Sequence, residues 1–406
     1  MGYFDVSGLA RDTMTPSSIS KRKNVVIYIA NTSWYLYNFR LSLMIKMIEK
    51  GWKVLAVAPE EEYKQQIEDA GIVFRNIPQS RKVVSPLADF LFSFRLFNLY
   101  LKEKPTLVHL FTIKPAVYGS ISASFGRVKG IVISVTGLGY MFMTNGLQAN
   151  LLRLIVNSLY KISFLGNNKC VIFQNPDDKV AFISGKLLKS ENAFLIRSSG
   201  VDIKRFIPAE KPKGEPVILM SARMLWAKGV GDLVSAARLL RDWRVPGKVI
   251  LAGSSDSGNP TAIPEEQLNK WNSEGVVLWI GYQKDIQKTY SSALIGVLPT
   301  YYPEGVPKSL IEAAACGLPL VATDMPGCRE VVRDGENGFL VPVKDPKALA
   351  IAIKNLIENE ELRLKMGKRS REIVETEFLQ DKIISETISI YERVLGQKIK
   401  IDSVQI

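Results

Sequence analysis

The chain has 406 residues, of which 47% are apolar and 23% charged, and a formal net charge of +13. That length exceeds what one hydrophobic core supports, so two domains are expected, and the composition excludes a disordered or collagen-like polypeptide. One histidine and three cysteines (Cys170, Cys316, Cys328) without ligand spacing exclude a multi-histidine metal site and fit a reduced, cytoplasmic compartment.

Residues 1–23 are polar, end in Lys21-Arg22-Lys23 and lack the apolar core of a signal peptide, so they read as a mobile arm. No stretch reaches the roughly 18 apolar residues that span a bilayer. Strands and helices then alternate, the pattern of parallel sheets. Strands are expected at Val25–Ala30, Lys53–Ala58, Val73–Ile77, Leu107–Leu110, Ile131–Val135 and Cys170–Phe173. After a short strand and a hinge within Phe194–Pro208, more follow at Val217–Ser221, Gly247–Ala252, Val276–Ile280, Ile295–Leu298, Pro319–Ala322 and Gly338–Val341. Ile383, Ile384, Ile388, Tyr391, Val394 and Leu395 mark an amphipathic last helix, with frayed residues after Gly396.

The turn after the first strand, Asn31-Thr32-Ser33-Trp34-Tyr35, has no GxGxxG, which argues against a dinucleotide-dependent dehydrogenase. Asn31, Thr32 and Ser33 offer alternative donors to a phosphate, while Trp34 and Tyr35 offer a packing surface for an acceptor. His109 is placed at a strand end facing a cleft, with a hydrogen-bonded structural role and a catalytic role both open.

Charge is uneven. Residues 1–200 hold 25 Lys and Arg against 13 Asp and Glu, whereas the remainder hold 28 against 27. A polybasic half suits an anionic membrane surface, and no nucleic-acid recognition motif is present. Two segments are candidates for lipid contact: Pro86–Leu101, rich in Phe, and Gln148–Leu165, where Arg153 and Lys161 interrupt an apolar run. For the first, burial against the sheet is the preferred reading; for the second, both readings stand.

Two motifs carry chemistry. In Ser221–Val230, Arg223 and Lys228 lie between a buried strand and a helix, where doubly wound folds bind ligands, and they offer a fork and a point charge to a diphosphate. In Tyr302–Gly317, Glu304 sits in a Pro/Gly turn and Glu312 is placed about two turns along the helix that the turn opens. Eight positions rotate roughly 80° beyond two full turns, so both carboxylates would face one cleft at a helix start, where free amides and the dipole favour phosphate. The alternative is a Glu in a first turn and an exposed Glu mid-helix.

The order Arg223/Lys228, Glu304-x7-Glu312, Gly317-Leu318-Pro319-Leu320-Val321-Ala322-Thr323 and Asp334-Gly335-Glu336-Asn337-Gly338 resembles the retaining glycosyltransferases of sequence family 4 over roughly Asn24 to Gly396. Leu110–Pro115, Val135–Tyr140 and Asn157–Lys161 are most similar to members that extend an undecaprenyl-diphosphate-linked monosaccharide in bacterial protein N-glycosylation, capsule or O-antigen assembly. The resemblance implies an α/β protein of GT-B fold, two doubly wound Rossmann-like domains facing across a cleft. Its parts would be 24–200 on the acceptor and membrane side, 201–376 for the nucleotide sugar, and 377–406 as a helix crossing back.

The resemblance also assigns roles. Glu304 would contact the transferred sugar and Glu312 the ribose, with Gly305, Val306, Lys308, Ser309, Leu310, Tyr282, Asn31 and Thr32 around the nucleotide sugar. The donor would be a UDP-hexose or UDP-N-acetylhexosamine. Thr112, Lys114, Thr136 and Gly137 would hold a polyprenyl-diphosphate-linked saccharide, with the enzyme peripheral on the inner face of the cytoplasmic membrane. Relatives often carry a second histidine two positions after His109, where this chain has Phe111. No Asp-x-Asp occurs, so Arg223, Lys228 and the helix start would neutralise the leaving diphosphate without a metal. A sugar-nucleotide epimerase, a glycogen-type synthase, a transferase with a soluble acceptor and an inactive membrane-binding module remain as alternatives.

Overall fold

The computed structural model describes residues 24–60, 62–80, 85–137, 147–210, 214–256, 258–259 and 261–399, the side chains of 147–153 excepted. The expected mobile arm, Arg81-Lys82, Leu138–Tyr140 and the last residues lie outside them. In the first half, β1 (Val25–Ile29), α1 (Ser33–Glu49), β2 (Lys53–Ala58), α2 (Lys64–Asp69), β3 (Val73–Asn76), α3 (Pro86–Glu103) and β4 (Leu107–Phe111) follow one another. A π-helical turn (Pro115–Gly119) runs into α4 (Ser120–Phe125), then β5 (Gly130–Val135), α5 (Leu147–Ser163), β6 (Lys169–Phe173), α6 (Pro176–Ser184) and β7 (Ala193–Leu195).

The second half holds β8 (Val217–Ser221), α7 (Val230–Asp242), β9 (Lys248–Ala252), α8 (Glu265–Ser273), β10 (Leu278–Trp279), α9 (Ile286–Ser292), β11 (Ile295–Leu298) and α10 (Lys308–Ala315). It ends with β12 (Leu320–Thr323), α11 (Pro326–Arg329), β13 (Gly338–Val341), α12 (Pro346–Glu358), α13 (Glu360–Glu377) and α14 (Gln380–Leu395). Short apolar runs bounded by Gly, Pro or Asn became strands because both faces of a parallel sheet are covered. β4, β5 and β6 are buried at every position.

Both sheets are parallel, with orders β3-β2-β1-β4-β5-β6-β7 and β10-β9-β8-β11-β12-β13. The order reverses between β1 and β4 and between β8 and β11, so the loops leaving these four strands meet at the crevices where such folds take ligands. Helices cover the first sheet on two sides. One side carries α1 and α14, whose Ile383, Ile388 and Tyr391 join Val26, Tyr28 and Met44 in one core. The other carries α3, α4 and α5, with Phe92, Leu96, Val156 and Tyr160 in a second core. The chain passes between the sheets twice, side by side: Val201 N–H donates to Phe378 O at 2.9 Å and Gln380 N–H to Val201 O at 3.2 Å. Gly200 makes this crossing possible, with φ +72° and a Cβ position 2.7 Å from Gln380 Cα.

Candidate active site at the sheet-to-sheet interface

Strand β8 leads through Arg223 to a 3₁₀ turn, Trp226–Lys228, that Gly229 ends with φ +76°. Its left-handed φ, and a Cβ position only 2.0 Å from Pro299 O, leave no room for any other residue. The neighbouring strand β11 leads to Tyr302–Pro307, so the second switch point sets Lys228 opposite Glu304. Lys228 Nζ lies 2.5 Å from Glu304 Oε2, and both side chains are largely buried. Glu304 Oε1 is a buried acceptor with no hydrogen-bond partner among the described residues. Such an orphan is costly unless a ligand completes it.

Pro307 precedes α10, and no side chain caps the start of this helix. Its first-turn amides are therefore the open donors that a phosphate takes. The helix begins at Lys308, four residues later than the rotation argument required, because Pro303 and Pro307 hold the intervening backbone out of helical form. Glu312 consequently lies just over one turn in, and the two-turn geometry is replaced. Burial raises the Glu312 carboxyl pKa, opposed by Lys308 and Arg205. Burial lowers that of Lys308, opposed by Glu312, whose Oε1 is 3.9 Å away. Tyr290 steadies the helix start by donating to Ser309 O at 3.0 Å, and Leu310 is buried in the core around the second sheet.

The first sheet closes over this turn. Gly305 N–H donates to Thr136 O at 3.1 Å and Val306 N–H to Gln174 Oε1 at 3.2 Å. Lys308 Nζ donates to Asn38 O at 2.6 Å and stands 4.9 Å from the centre of the Phe39 ring. At Gly137, φ is +118° and a Cβ would come within 2.8 Å of Glu304 Cα and Gly305 N. On the opposite side a Cβ at Gly327 would lie 1.7 Å from Gly305 O. Two glycines thus grip the turn that carries Glu304. Thr136 and Gly137, expected at the acceptor, here touch this turn.

Several expected residues are placed differently. Arg223 is joined to Asp256 Oδ2 at 2.7 Å with about half its side chain in solvent, so it belongs to the rim while Lys228 reaches the turn. Lys114 pairs with Asp89 at 2.5 Å, and both are nearly buried. Its charge is answered within the protein, which corrects its assignment to a diphosphate. Thr112 stands beside it in the left-handed region at φ +66°, its Oγ1 buried and unpartnered. Thr32 Oγ1 accepts from Tyr35 N at 3.1 Å as the cap of α1, which fixes the hydroxyl at the helix start and leaves its O–H to donate, and Asn31 is exposed. Tyr282 is 54% exposed and its hydroxyl lies 3.1 Å from that of Tyr63, in the turn before α2.

His109 is the clearest correction. It is the third residue of β4, not its end, and is 1% exposed. Nε2 lies 2.8 Å from Ser134 Oγ and Nδ1 2.6 Å from Tyr391 OH, which donates to Tyr28 OH at 3.2 Å. Since Tyr391 donates onward, Nδ1–H donates to Tyr391 and Nε2 accepts from Ser134, one neutral tautomer fixed between β5 and α14. Burial, then the nearby Arg40 cation, lowers the imidazole pKa well below its ordinary value. His109 is therefore a structural residue.

For His109→Gln, kcat is expected to stay within a factor of about two, while stability falls by about 1–3 kcal/mol as the buried chain loses a member. Because the folded-state pKa is depressed, the unfolded chain binds the extra proton first. The wild type should lose stability relative to the variant as pH falls below about 6.5, with a flat difference above it. Taking the difference cancels Asp178, whose carboxyl burial pushes up to about 6 and whose contribution has the opposite sign. Chemical denaturation across this range checks both, and a pH-independent difference would overturn the neutral assignment.

Residues missed from sequence include Gln174, Asn38, Asp256 and Tyr63. Gln174 was findable, since it directly follows a strand and so stands at a carboxyl end, where ligand-side residues gather.

The model of the "Glycosyl transferases group 1" family matches residues 202–373, and that of "Glycosyl transferase 4-like" matches residues 25–175. A curated protein of Campylobacter jejuni, the N,N'-diacetylbacillosaminyl-diphospho-undecaprenol alpha-1,3-N-acetylgalactosaminyltransferase, is 30% identical over 385 residues, covering 91% of this chain and 98% of that one. Among solved structures, sucrose-phosphate synthase from Thermosynechococcus elongatus superposes with a TM-score of 0.75 at 21% identity, covering 92% of this chain and 100% of that one. HepE of Anabaena in complex with UDP and glucose gives 0.72 at 20% identity, covering 90% and 99%.

Proposed function

The chain belongs to the glycosyl transferases of group 1, a glycosyltransferase of GT-B fold, and on that premise we propose that it moves a hexose or N-acetylhexosamine, with retention, from a UDP-sugar to a polyprenyl-diphosphate-linked saccharide. The observation that carries this reading is the Lys228–Glu304 pair, with its orphaned Glu304 Oε1, beside the uncapped start of α10. The name of the Campylobacter relative supports the acceptor class, and the UDP held by HepE supports the donor class. In this reading residues 201–376 hold the donor and residues 24–200 the acceptor.

The diphosphate of the donor settles on the first-turn amides of α10, and Lys228 turns from Glu304 to its oxygens. Arg223 adds a second cation from the rim. Glu304, freed of its partner, accepts from hydroxyls of the sugar, and Glu312 from the ribose. The acceptor hydroxyl attacks the anomeric carbon on the face that the diphosphate leaves; the C–O bond to phosphate breaks as the new one forms, and a departing phosphate oxygen takes the hydroxyl proton. Preorganised cations and amides lower this barrier because they face the charge that develops on the leaving group.

A panel of nucleotide sugars, offered with a polyprenyl-diphosphate-linked saccharide, tests the reading. Labelled lipid product with an unchanged anomeric configuration is expected from a UDP-sugar, with turnover unaffected by EDTA. Inversion, or product from no donor, overturns the function; loss of turnover in EDTA overturns the metal-free neutralisation.

The proposed acceptor places the enzyme on the inner face of the cytoplasmic membrane. Among the described residues no helix is long and apolar enough to cross a membrane. The basic first half supports peripheral attachment to anionic lipid.

A further inference from the structure

The layer of α3, α4 and α5 is apolar on both sides. Phe92, Leu96 and Tyr100 of α3 face the core, yet Leu87 is 73%, Phe90 65% and Phe94 52% exposed. These three recur at helical spacing and form a second stripe on the outer side of the same helix. The same division holds in α5, where Val156 and Tyr160 are buried while Leu154 and Ile162 are exposed. Phe125, at the end of α4 between the two helices, is 75% exposed. On the opposite side of the sheet, α14 exposes no large hydrophobic side chain among the described residues.

The charge on this layer has one sign. Residues 86–165 hold eight Lys and Arg but only two acidic residues, Asp89 and Glu103. Asp89 is buried against Lys114, and Glu103, nearly buried, is bonded to Lys53 and Arg75. Arg95, Lys102, Arg127, Lys129 and Lys161 are exposed. Broad apolar stripes flanked by unopposed cations are what lies on an anionic bilayer; a nucleic acid would use the cations and leave the phenylalanines in water. Helix α3 runs antiparallel to the strands, so its first turns, with Leu87 and Phe90, stand at the carboxyl ends of β4 and β5, beside the candidate active site.

We propose that the outer face of α3, α4 and α5 docks on anionic lipid, with Leu87, Phe90, Phe94 and Leu154 entering the headgroup region. The crevice then opens at the bilayer surface, where a lipid-linked acceptor reaches the turn of Glu304 without leaving the membrane. This inference rests on the lipid-linked acceptor proposed for the enzyme.

Flotation of the full chain with vesicles tests it. The wild type is expected to float with phosphatidylglycerol/phosphatidylcholine vesicles, to be released by salt, and to bind phosphatidylcholine alone several-fold more weakly. The double substitution Phe90→Ser/Phe94→Ser should lower partitioning about tenfold or more, and Arg127→Glu/Lys161→Glu several-fold with loss of the salt dependence. Unchanged circular dichroism, and unchanged turnover of a water-soluble short-chain acceptor, establish that both variants are folded. Partitioning that neither variant alters overturns the inference, as does absent flotation. Self-association in light scattering that the Phe variant abolishes overturns it too, since a second copy then covers the face. Flotation without turnover of any acceptor leaves the docking intact and overturns the transferase reading instead.

Discussion

Lys228→Ala is expected to lower kcat by a factor of about 10² to 10³, the loss of one preorganised donor to a developing anion, or about 2.7–4 kcal/mol of barrier. The ammonium does two things that no neighbour duplicates. Before the donor binds it answers the charge of Glu304 at 2.5 Å; afterwards it is released to the leaving group, whereas Arg223 is joined to Asp256 at the rim. Removing it leaves Glu304 buried with both oxygens unpartnered, so part of the loss belongs to that carboxylate. A double-mutant cycle with Glu304→Gln separates the two contributions. Strong non-additivity is expected, the double variant being scarcely slower than Lys228→Ala alone. Strictly additive losses, or a Lys228→Ala enzyme within threefold of wild type, would contradict the pairing.

Gly327→Ala should be nearly as damaging, although residue 327 lies outside the proposed donor and acceptor contacts. Its new methyl would stand 1.7 Å from Gly305 O, a distance no packing tolerates, so the carbonyl or helix α11 must move. Overpacking of this kind costs about 1–3 kcal/mol of stability. Glu304 adjoins the displaced carbonyl, and a misplacement near 1 Å costs about 10²-fold in rate. The expected result is a kcat lowered by about that factor with a modest drop in melting temperature. Gly137→Ala should act from the other side with the same sign. Full activity in Gly327→Ala would mean that the turn is not held where the geometry places it.

Much of the architecture was legible because parallel strands are buried on two faces and stand out as apolar runs between turn residues. Val217–Ser221 and Ile295–Leu298 were read to the residue, and the two junctions beyond them carry Lys228 and Glu304. What could not be read was the partner of each charged or aromatic group. Lys114 looked free because Asp89, which neutralises it, is 25 residues away on another helix. His109 looked free for catalysis because the tyrosine that accepts its N–H lies 282 residues on. The Phe-rich helix was read as core, and half of that reading held. Its pattern contains two apolar stripes, and nothing in the spacing says which one the sheet takes.

The last helix has a consequence for how the molecule is made. The side of the first sheet that carries Val26 and Tyr28 is sealed by Ile383, Ile388 and Tyr391, residues synthesised some 350 positions later. Until those residues have been synthesised that flank stays open to water, so the amino-terminal lobe cannot mature before α14 has left the ribosome. A premature stop before Gln380 would therefore injure a lobe whose own strands were translated long before the lesion.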